Sequence, residues 1–410
     1  MKFYFSFLFI LLPCTAIAQN RSLNSQSSIA TGKNWIWLDK AIAVASVHYK
    51  NAVVLNPDVS KIPRSTKPDG SLRTVNSSDW CSGFFSGSLW QIYGLNKDST
   101  VKSAAIKWMS ALENEQYNKT THDLGFMMYN SYGNAYKATQ NTGYKEVIIQ
   151  SARSLLTRFN PKIGLIKSWD GGKWQYPVII DNMMNLELLL QAGKLSGDTV
   201  FKKVAITHAN NTLKNHFRSN FSSYHVVDYD TVSGLPRRKQ TNQGYSDESA
   251  WARGQAWGLY GFTMMYRYTR DVKYLTQAKS IAKFILTNPN LPNNKIPYWD
   301  FNDPAIPNTY RDASAAAIMA SAFLELYTYL NKKDNYRRLL FKTATDILYT
   351  LSMPQYTSQV GANSNFILQH CVGNMPIGTQ NGEIDAGICY ADYYYIEALG
   401  RLKRFTVNFN

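Results

Sequence analysis

The run ASAAAIMASAF at residues 313–323, directly after Asp312, has no polar face. A helix that is apolar all round is enclosed by protein, and small Ala and Ser side chains let neighbouring backbones approach closely. The run WARGQAWGLYGF at 251–262, downstream of Asp247, is of the same kind. With these two, an Asp opens each of six such stretches: Asp79, Asp123, Asp181, Asp247, Asp312 and Asp385. Stretches of a second kind alternate with them, near 34–52, 99–116, 144–159, 198–217, 272–288 and 334–352. In 99–116, Val101, Ala104, Ala105, Trp108, Met109 and Leu112 share one side, while Lys102, Lys107 and Glu113 lie elsewhere. That spacing marks helices with one buried and one wet face. The alternation predicts an all-α (α/α)6 barrel, a ring of inner helices wrapped by outer ones and built from antiparallel helix hairpins.

All inner helices of such a ring run the same way, so the six Asp residues collect at one end. Asp at a helix start accepts backbone N–H bonds and complements the dipole. A plain N-cap is therefore the ordinary reading of any one of them, and periodicity does not say which are catalytic.

Lys2, the apolar run 3–12 and Ala16-Ile17-Ala18 read as a cleavable export leader over residues 1–18. The mature protein, 19–410, is expected to be one catalytic domain, periplasmic or secreted, with no membrane association once the leader is gone. Of four cysteines, Cys14 falls in the leader, which leaves Cys81, Cys371 and Cys389. Three do not make a disulfide framework. Cys81 and Cys389 open the first and last inner helices, which ring closure makes neighbours; buried free thiols are the ordinary reading and a bridge the alternative. The net charge of +16 suits an acidic partner. Nucleic acid is not expected, because no recognised module is present and the basic residues are scattered over the outer helices. An acidic polysaccharide fragment fits better. Nothing in the sequence reports oligomeric state.

Three long loops, 56–78, 224–245 and 288–311, lead into inner helices and should cover the Asp end. Binding residues concentrate on loops held by a rigid scaffold. The second alternates around Ser233-Gly234 like a hairpin and carries Arg237, Arg238 and Lys239, which would suit a sulfate, although such a basic hairpin is ordinarily just solvated. Neither a nucleotide loop, a zinc spacing nor a serine nucleophile elbow is present, so no metal or cofactor is expected. Carboxylate chemistry in an aromatic, basic cleft remains. Asp123 follows His122 and precedes Leu124-Gly125. Asp181 follows Val178-Ile179-Ile180; if desolvation outweighs the helix N-terminus there, Asp181 holds a proton near neutrality and serves as a general acid.

Asp79-Trp80-Cys81-Ser82-Gly83-Phe84, His122-Asp123-Leu124-Gly125-Phe126, Ile180-Asp181-Asn182-Met183-Met184-Asn185 and Asn242-Gln243-Gly244-Tyr245 occur in order. Ser249-Ala250-Trp251-Ala252-Arg253-Gly254-Gln255-Ala256-Trp257 and Pro297-Tyr298-Trp299-Asp300-Phe301 complete a set spanning most of the chain. The set resembles the unsaturated glucuronyl hydrolases, glycoside hydrolase family 88. The resemblance implies the same barrel and an enzyme that removes the 4,5-unsaturated uronate left by a polysaccharide lyase at the non-reducing end. It implies protonation of C4 and addition of water at C5, with no attack at the anomeric carbon, so the rule linking carboxylate separation to stereochemistry does not apply. By the same resemblance Asp181 is the acid and base, and Asp123 binds sugar hydroxyls and helps keep Asp181 protonated. His122, His225, Gln243 and Arg253 hold the uronate and its hydroxyls, and Trp251 and Trp257 stack on the sugar. The plainer readings are a buried ion pair for Arg253 and core filling for the tryptophans. An unsaturated rhamnogalacturonyl hydrolase and a non-catalytic sugar-binding barrel are the competing functions.

Overall fold

The computed structural model describes Met1 and residues 35–407, so the leader read over residues 1–18 lies, apart from Met1, outside the described residues. Residues 36–407 lie in one compact unit. Its inner helices are α2 (Ser82–Asn96), a π-helix (Gly125–Gly133) running on as α4 (Asn134–Thr139), α6 (Asn182–Ser196), α8 (Ala252–Thr269), α10 (Ala313–Tyr329) and α12 (Cys389–Val407). The outer helices are α1 (Ile36–Leu55), α3 (Ser99–Ser110), α5 (Thr142–Leu156), α7 (Thr199–Asn215), α9 (Val272–Thr287) and α11 (Asn335–Leu351). Each inner helix packs on the next and α12 returns to α2, which closes the ring. The fold is the (α/α)6 barrel. Burial explains the two compositions: every described residue from Ala313 to Leu324 is buried, whereas α11 buries only the stripe containing Leu340, Ala344, Ile347, Leu348 and Leu351.

The capping expectation needs correction. The side-chain caps lie chiefly on the outer helices, where Asp98, Asn141, Asp198, Asp271 and Asp334 each accept from a backbone N–H two residues on. Among the inner six, Asp312 caps α10 through Ser314 N, and Asp79 accepts from Cys81 N at 3.0 Å just ahead of α2. The other four do not cap. A cap needs extended backbone at that residue. Asp181 is already helical, at φ −59 and ψ −28, and Asp385 is left-handed at φ 58. Asp247 turns away to Thr241 N, at 2.9 Å. Asp123 spends its carboxylate on Asn185 instead.

At the Asp end the connections form a rim of short strands. The first expected loop is a hairpin, β1 (Ile62–Thr66) with β2 (Leu72–Val75). After β3 (Phe159–Asn160) and β4 (Leu165–Ile166), β5 (Pro177–Ile179) pairs with β6 (Val226–Tyr229), which pairs with β7 (Pro236–Gln240). The β6–β7 hairpin turns at Gly234, whose φ of +77 suits glycine. A fourth rim segment, 353–388, was not singled out in the sequence; it carries β8 (Cys371–Val372) and β9 (Ile384–Ala386). Cys81 and Cys389 are free and buried, with Cys389 Sγ 3.9 Å from the Cys81 carbonyl.

Candidate active site

Strand β5 delivers Asp181 to the start of α6 with its carboxyl turned inward. The residue is only 8% exposed, and its Oδ2 has no hydrogen-bond partner. That oxygen lies 3.8 Å from His225 Nε2. His225 Nδ1 accepts from two backbone donors, Asn242 N and Gln243 N, each at 3.1 Å. Two donors on Nδ1 place the proton of a neutral ring on Nε2, facing Asp181. Burial, assisted by the charge of Arg253, depresses the His225 pKa to about 3, so the ring is a fixed neutral donor.

Asp123 sits ahead of the π-helix, in the neighbouring hairpin. Its Oδ1 accepts from Asn185 Nδ2 at 3.0 Å, and its Oδ2 lies 3.3 Å from His122 Nε2. Asn185 is one helical turn beyond Asp181 and shares its face. Its own Oδ1 accepts from Phe126 N at 2.9 Å, which orients the amide so that Nδ2 must face Asp123. Gly125 permits this contact: a Cβ there would stand 2.5 Å from Asn185 Cα.

Both carboxyls are pushed toward neutrality. Burial chiefly, then the charge of Asp181, raises Asp123 to about 8, against the Asn185 bond that favours its ionised form. Burial raises Asp181 to about 7, opposed by Arg253 and by the nearby Trp257 indole N–H. The site therefore retains at least one carboxyl proton at neutral pH. His122 is also held neutral by burial.

The remaining expected residues gather round the same two Asp, with different exposures. Gln243 is half-buried and donates to the Gly373 carbonyl at 3.2 Å. Arg253 is enclosed: its guanidinium pairs with Asp312 at 3.2 Å, bonds the Val372 and Gly373 carbonyls, and lies over the Trp251 ring. Trp251 packs on His225, with ring centroids 4.6 Å apart. Trp257 is wholly buried between Phe126 and Tyr394, and its Nε1 has no partner. A buried ring offers no open face for a sugar, so Trp257 can contribute its N–H rather than a stacking platform. Trp80, Trp169 and Trp174 are the half-exposed indoles of the rim. Among the described residues no group of three or more His, Cys, Asp or Glu converges as metal ligands.

Residues not singled out in the sequence complete the rim. Arg64 grips both oxygens of Asp79 at 2.7 and 2.8 Å and both oxygens of Glu383 at 2.7 and 3.0 Å. Ser65 Oγ adds 2.5 Å to Glu383 Oε1. The interval of four between Asp181 and Asn185 was the available sign for Asn185. Glu383 lies in an irregular loop and gave none.

Residues 58–288 match the family model described as Glycosyl Hydrolase Family 88. Over 336 residues the chain is 50% identical to an unsaturated glucuronyl hydrolase of Formosa agariphila, covering 81% of this chain and 82% of the relative. The chain belongs to glycoside hydrolase family 88. This family 88 chain is also 32% identical to an unsaturated chondroitin disaccharide hydrolase of Streptococcus agalactiae, over 81% of the chain and 83% of the relative. The family 88 barrel superposes on an unsaturated glucuronyl hydrolase specific for heparin with a TM-score of 0.87 and 47% identity, covering 91% of this chain and 98% of the other. The Bacillus sp. GL1 enzyme gives 0.83 and 29%, covering 90% and 97%. The protein is a glycoside hydrolase, and the Asp123–Asp181 pair is the candidate centre of this family 88 site.

Proposed function

We propose that the barrel removes the 4,5-unsaturated glucuronyl residue from the non-reducing end of lyase-generated acidic oligosaccharides, by hydrating the C4=C5 bond. One observation carries this reading: the half-buried Asp123 and the buried Asp181 lie close enough for the charge of Asp181 to act on Asp123, with pKa values of about 8 and 7, beside neutral imidazoles. A carboxyl poised near the working pH is suited to giving a proton to carbon and then accepting one from water.

In this reading Asp181 protonates C4 of the vinyl ether, and positive charge develops at C5, shared with the ring oxygen. Water adds at C5 and returns its proton to Asp181. The hemiketal opens between C5 and the ring oxygen, and the hemiacetal left at C1 collapses to expel the rest of the chain as an alcohol. Atoms balance with one water consumed. The unpartnered His225 Nε2–H and Trp257 Nε1–H lie beside Asp181, where they orient the carboxyl and the bound sugar. Asp123, fixed by Asn185, takes sugar hydroxyls. Arg253 supplies a positive field for the uronate while its guanidinium stays anchored on Asp312.

Relatives support the substrate class. A mutant of the Streptococcus agalactiae enzyme is known in complex with dGlcA-GalNAc6S, and another related structure with dGlcA-Glc-Rha-Glc. Export rests on Lys2, the apolar run 3–12 and Ala16-Ile17-Ala18, and would bring the enzyme to its oligosaccharides in the periplasm or outside the cell.

The test follows the ultraviolet absorbance of the conjugated ene-carboxylate, using purified protein without added metal and unsaturated disaccharides from chondroitin, heparin, ulvan and rhamnogalacturonan. Loss of absorbance with a glucuronyl substrate is expected. Loss with the rhamnogalacturonan product alone, or with none of the four, overturns the proposal.

A further inference from the structure

The inner helices carry their Asp residues at one end of the ring, and the opposite end is not closed. From that end a cavity of about 730 Å³ runs into the ring, walled by C-terminal turns of α2, α4, α8, α10 and α12 and by Met184 and Glu187 from the first turns of α6. A space of this size falls in the range of small-molecule sites. Its lining includes Tyr394, which backs Trp257, but none of the residues given a role in the proposed reaction.

Five buried charges alternate in sign across it. Arg267 bonds Glu187 at 2.6 Å and Glu325 at 2.7 Å; Arg401 bonds Glu325 at 2.8 Å and Glu397 at 3.4 Å. Their side chains are 10–27% exposed. Desolvating so many charges adds little net stability, since apolar packing of the same volume would serve as well or better. The mechanism proposed above uses none of them. Two further cations, Lys137 and Arg404, are exposed at the mouth. Among the described residues neither makes an ion pair, and the Lys137 ammonium rests 4.8 Å over the Tyr129 ring. The lining therefore holds four cations against three carboxylates.

Unsatisfied polar groups point to a ligand. Asn130 is 9% exposed, and its Nδ2 has no partner, although its Oδ1 accepts from Tyr393 Oη at 3.2 Å. Gln91 Oε1, in the neighbouring hairpin, is likewise buried and unpartnered. Buried polar atoms normally find partners, and a free donor with a free acceptor is the arrangement that holds a sugar hydroxyl. The tyrosine-rich wall, which includes Tyr129, Tyr260 and Tyr329, supplies surface for a pyranose ring.

We propose that this cavity is a second binding site, which takes a carboxylate-bearing monosaccharide with its carboxylate at Lys137 and Arg404 and its hydroxyls at Asn130 and Gln91. The site stands on the barrel's far end and does not depend on the reaction assigned to Asp123 and Asp181.

The test is calorimetric titration of the full chain with glucuronic acid, a saturated sugar that the enzyme cannot hydrate. The Asp123→Asn/Asp181→Asn chain is titrated alongside, to remove the charges of the aspartate site. Saturable binding that survives in that variant is expected, weakened at least tenfold, which is 1.4 kcal/mol at that ratio, by Lys137→Ala/Arg404→Ala. That mouth variant, made alone, should keep the parent's turnover. Glucose and inorganic sulfate should each bind at least tenfold more weakly than glucuronate. Three results overturn the proposal: no binding beyond what the aspartate variant abolishes, binding indifferent to the mouth variant, or sulfate binding as tightly as the sugar. Absence of turnover on every unsaturated disaccharide, with this binding intact, would refute the proposed reaction and leave the second site standing.

Discussion

Gly125→Ala should cost the enzyme most of its turnover while leaving it folded. The added Cβ would lie 2.5 Å from Asn185 Cα, 2.7 Å from its Oδ1 and 3.0 Å from its carbonyl oxygen. Carbon atoms in ordinary contact stand about 3.5 Å apart, so the π-helix and α6 must separate by roughly 1 Å. The nearest atom is backbone, and no rotamer change relieves it. Overpacking of this kind costs about 1–3 kcal/mol, which a barrel of this size survives. The separation also breaks the Asn185 bridge between Phe126 N and Asp123, at 2.9 and 3.0 Å. A displacement of about 1 Å in a positioning group costs about 100-fold in rate. The expectation is a fall in kcat of that order with a smaller change in KM, read from loss of ene-carboxylate absorbance, together with a modest drop in Tm. A variant with unchanged kcat, or one whose loss is wholly in KM, would refute the account of how Asp123 is held.

Asp181→Asn should nearly abolish turnover while disaccharide binding stays measurable by calorimetry; near-normal turnover in a folded variant would remove Asp181 from the chemistry. Because the protonated carboxyl is the working form, kcat should fall as pH rises through about 7, where burial sets the Asp181 pKa, and Asn185→Ala should move the limb due to Asp123 upward, since its amide favours the ionised form. Asp123→Asn should raise Tm at pH 8 and hardly change it at pH 4. A carboxyl raised to about 8 in the fold but near 3.9 when unfolded stabilises less as pH climbs between those values, and the amide escapes that loss. Asp198→Ala, which removes an outer-helix cap that accepts from Val200 N at 2.9 Å, should cost about 1 kcal/mol in denaturant unfolding and leave kcat unchanged.

The barrel was legible because its two helix classes differ in composition as well as in period. Ala313–Phe323 cannot face water, and Leu339–Leu351 cannot be buried all round, so their alternation admits few arrangements. The two Asp of the candidate centre stand out through their motifs rather than through capping. Asp312 apart, the Asp side-chain caps belong to Asp98, Asp198, Asp271 and Asp334, whose local signal is the same as that of Asp181. What separates them is ψ at the residue itself: 115–117 for the four outer caps and −28 for Asp181, a consequence of strand β5 feeding α6. Trp257 and Arg253 show the reverse limit. Their motif points to them and the fold sets them near Asp181, but exposure decides whether a ring stacks or donates, and exposure depends on neighbours such as Phe126, Tyr394 and Asp312, far away in the chain. Segment 353–388 lacks any period, and its part in the rim came only from tertiary contacts.

Arg64 and Glu383, 319 residues apart, are joined by a two-pronged bond. Ser65 pairs across to Ile388, and Thr66 N reaches the Gly387 carbonyl at 3.0 Å. The seam between α2 and α12 is therefore sewn by the earliest and latest parts of the rim. Contacts so distant in sequence form late, since loop closure must come first. Until α12 docks, the partly assembled ring exposes the apolar flanks of α2 and α10, surfaces that invite association with other chains. Loss of even a few C-terminal turns should therefore be felt less as lost activity than as lost solubility.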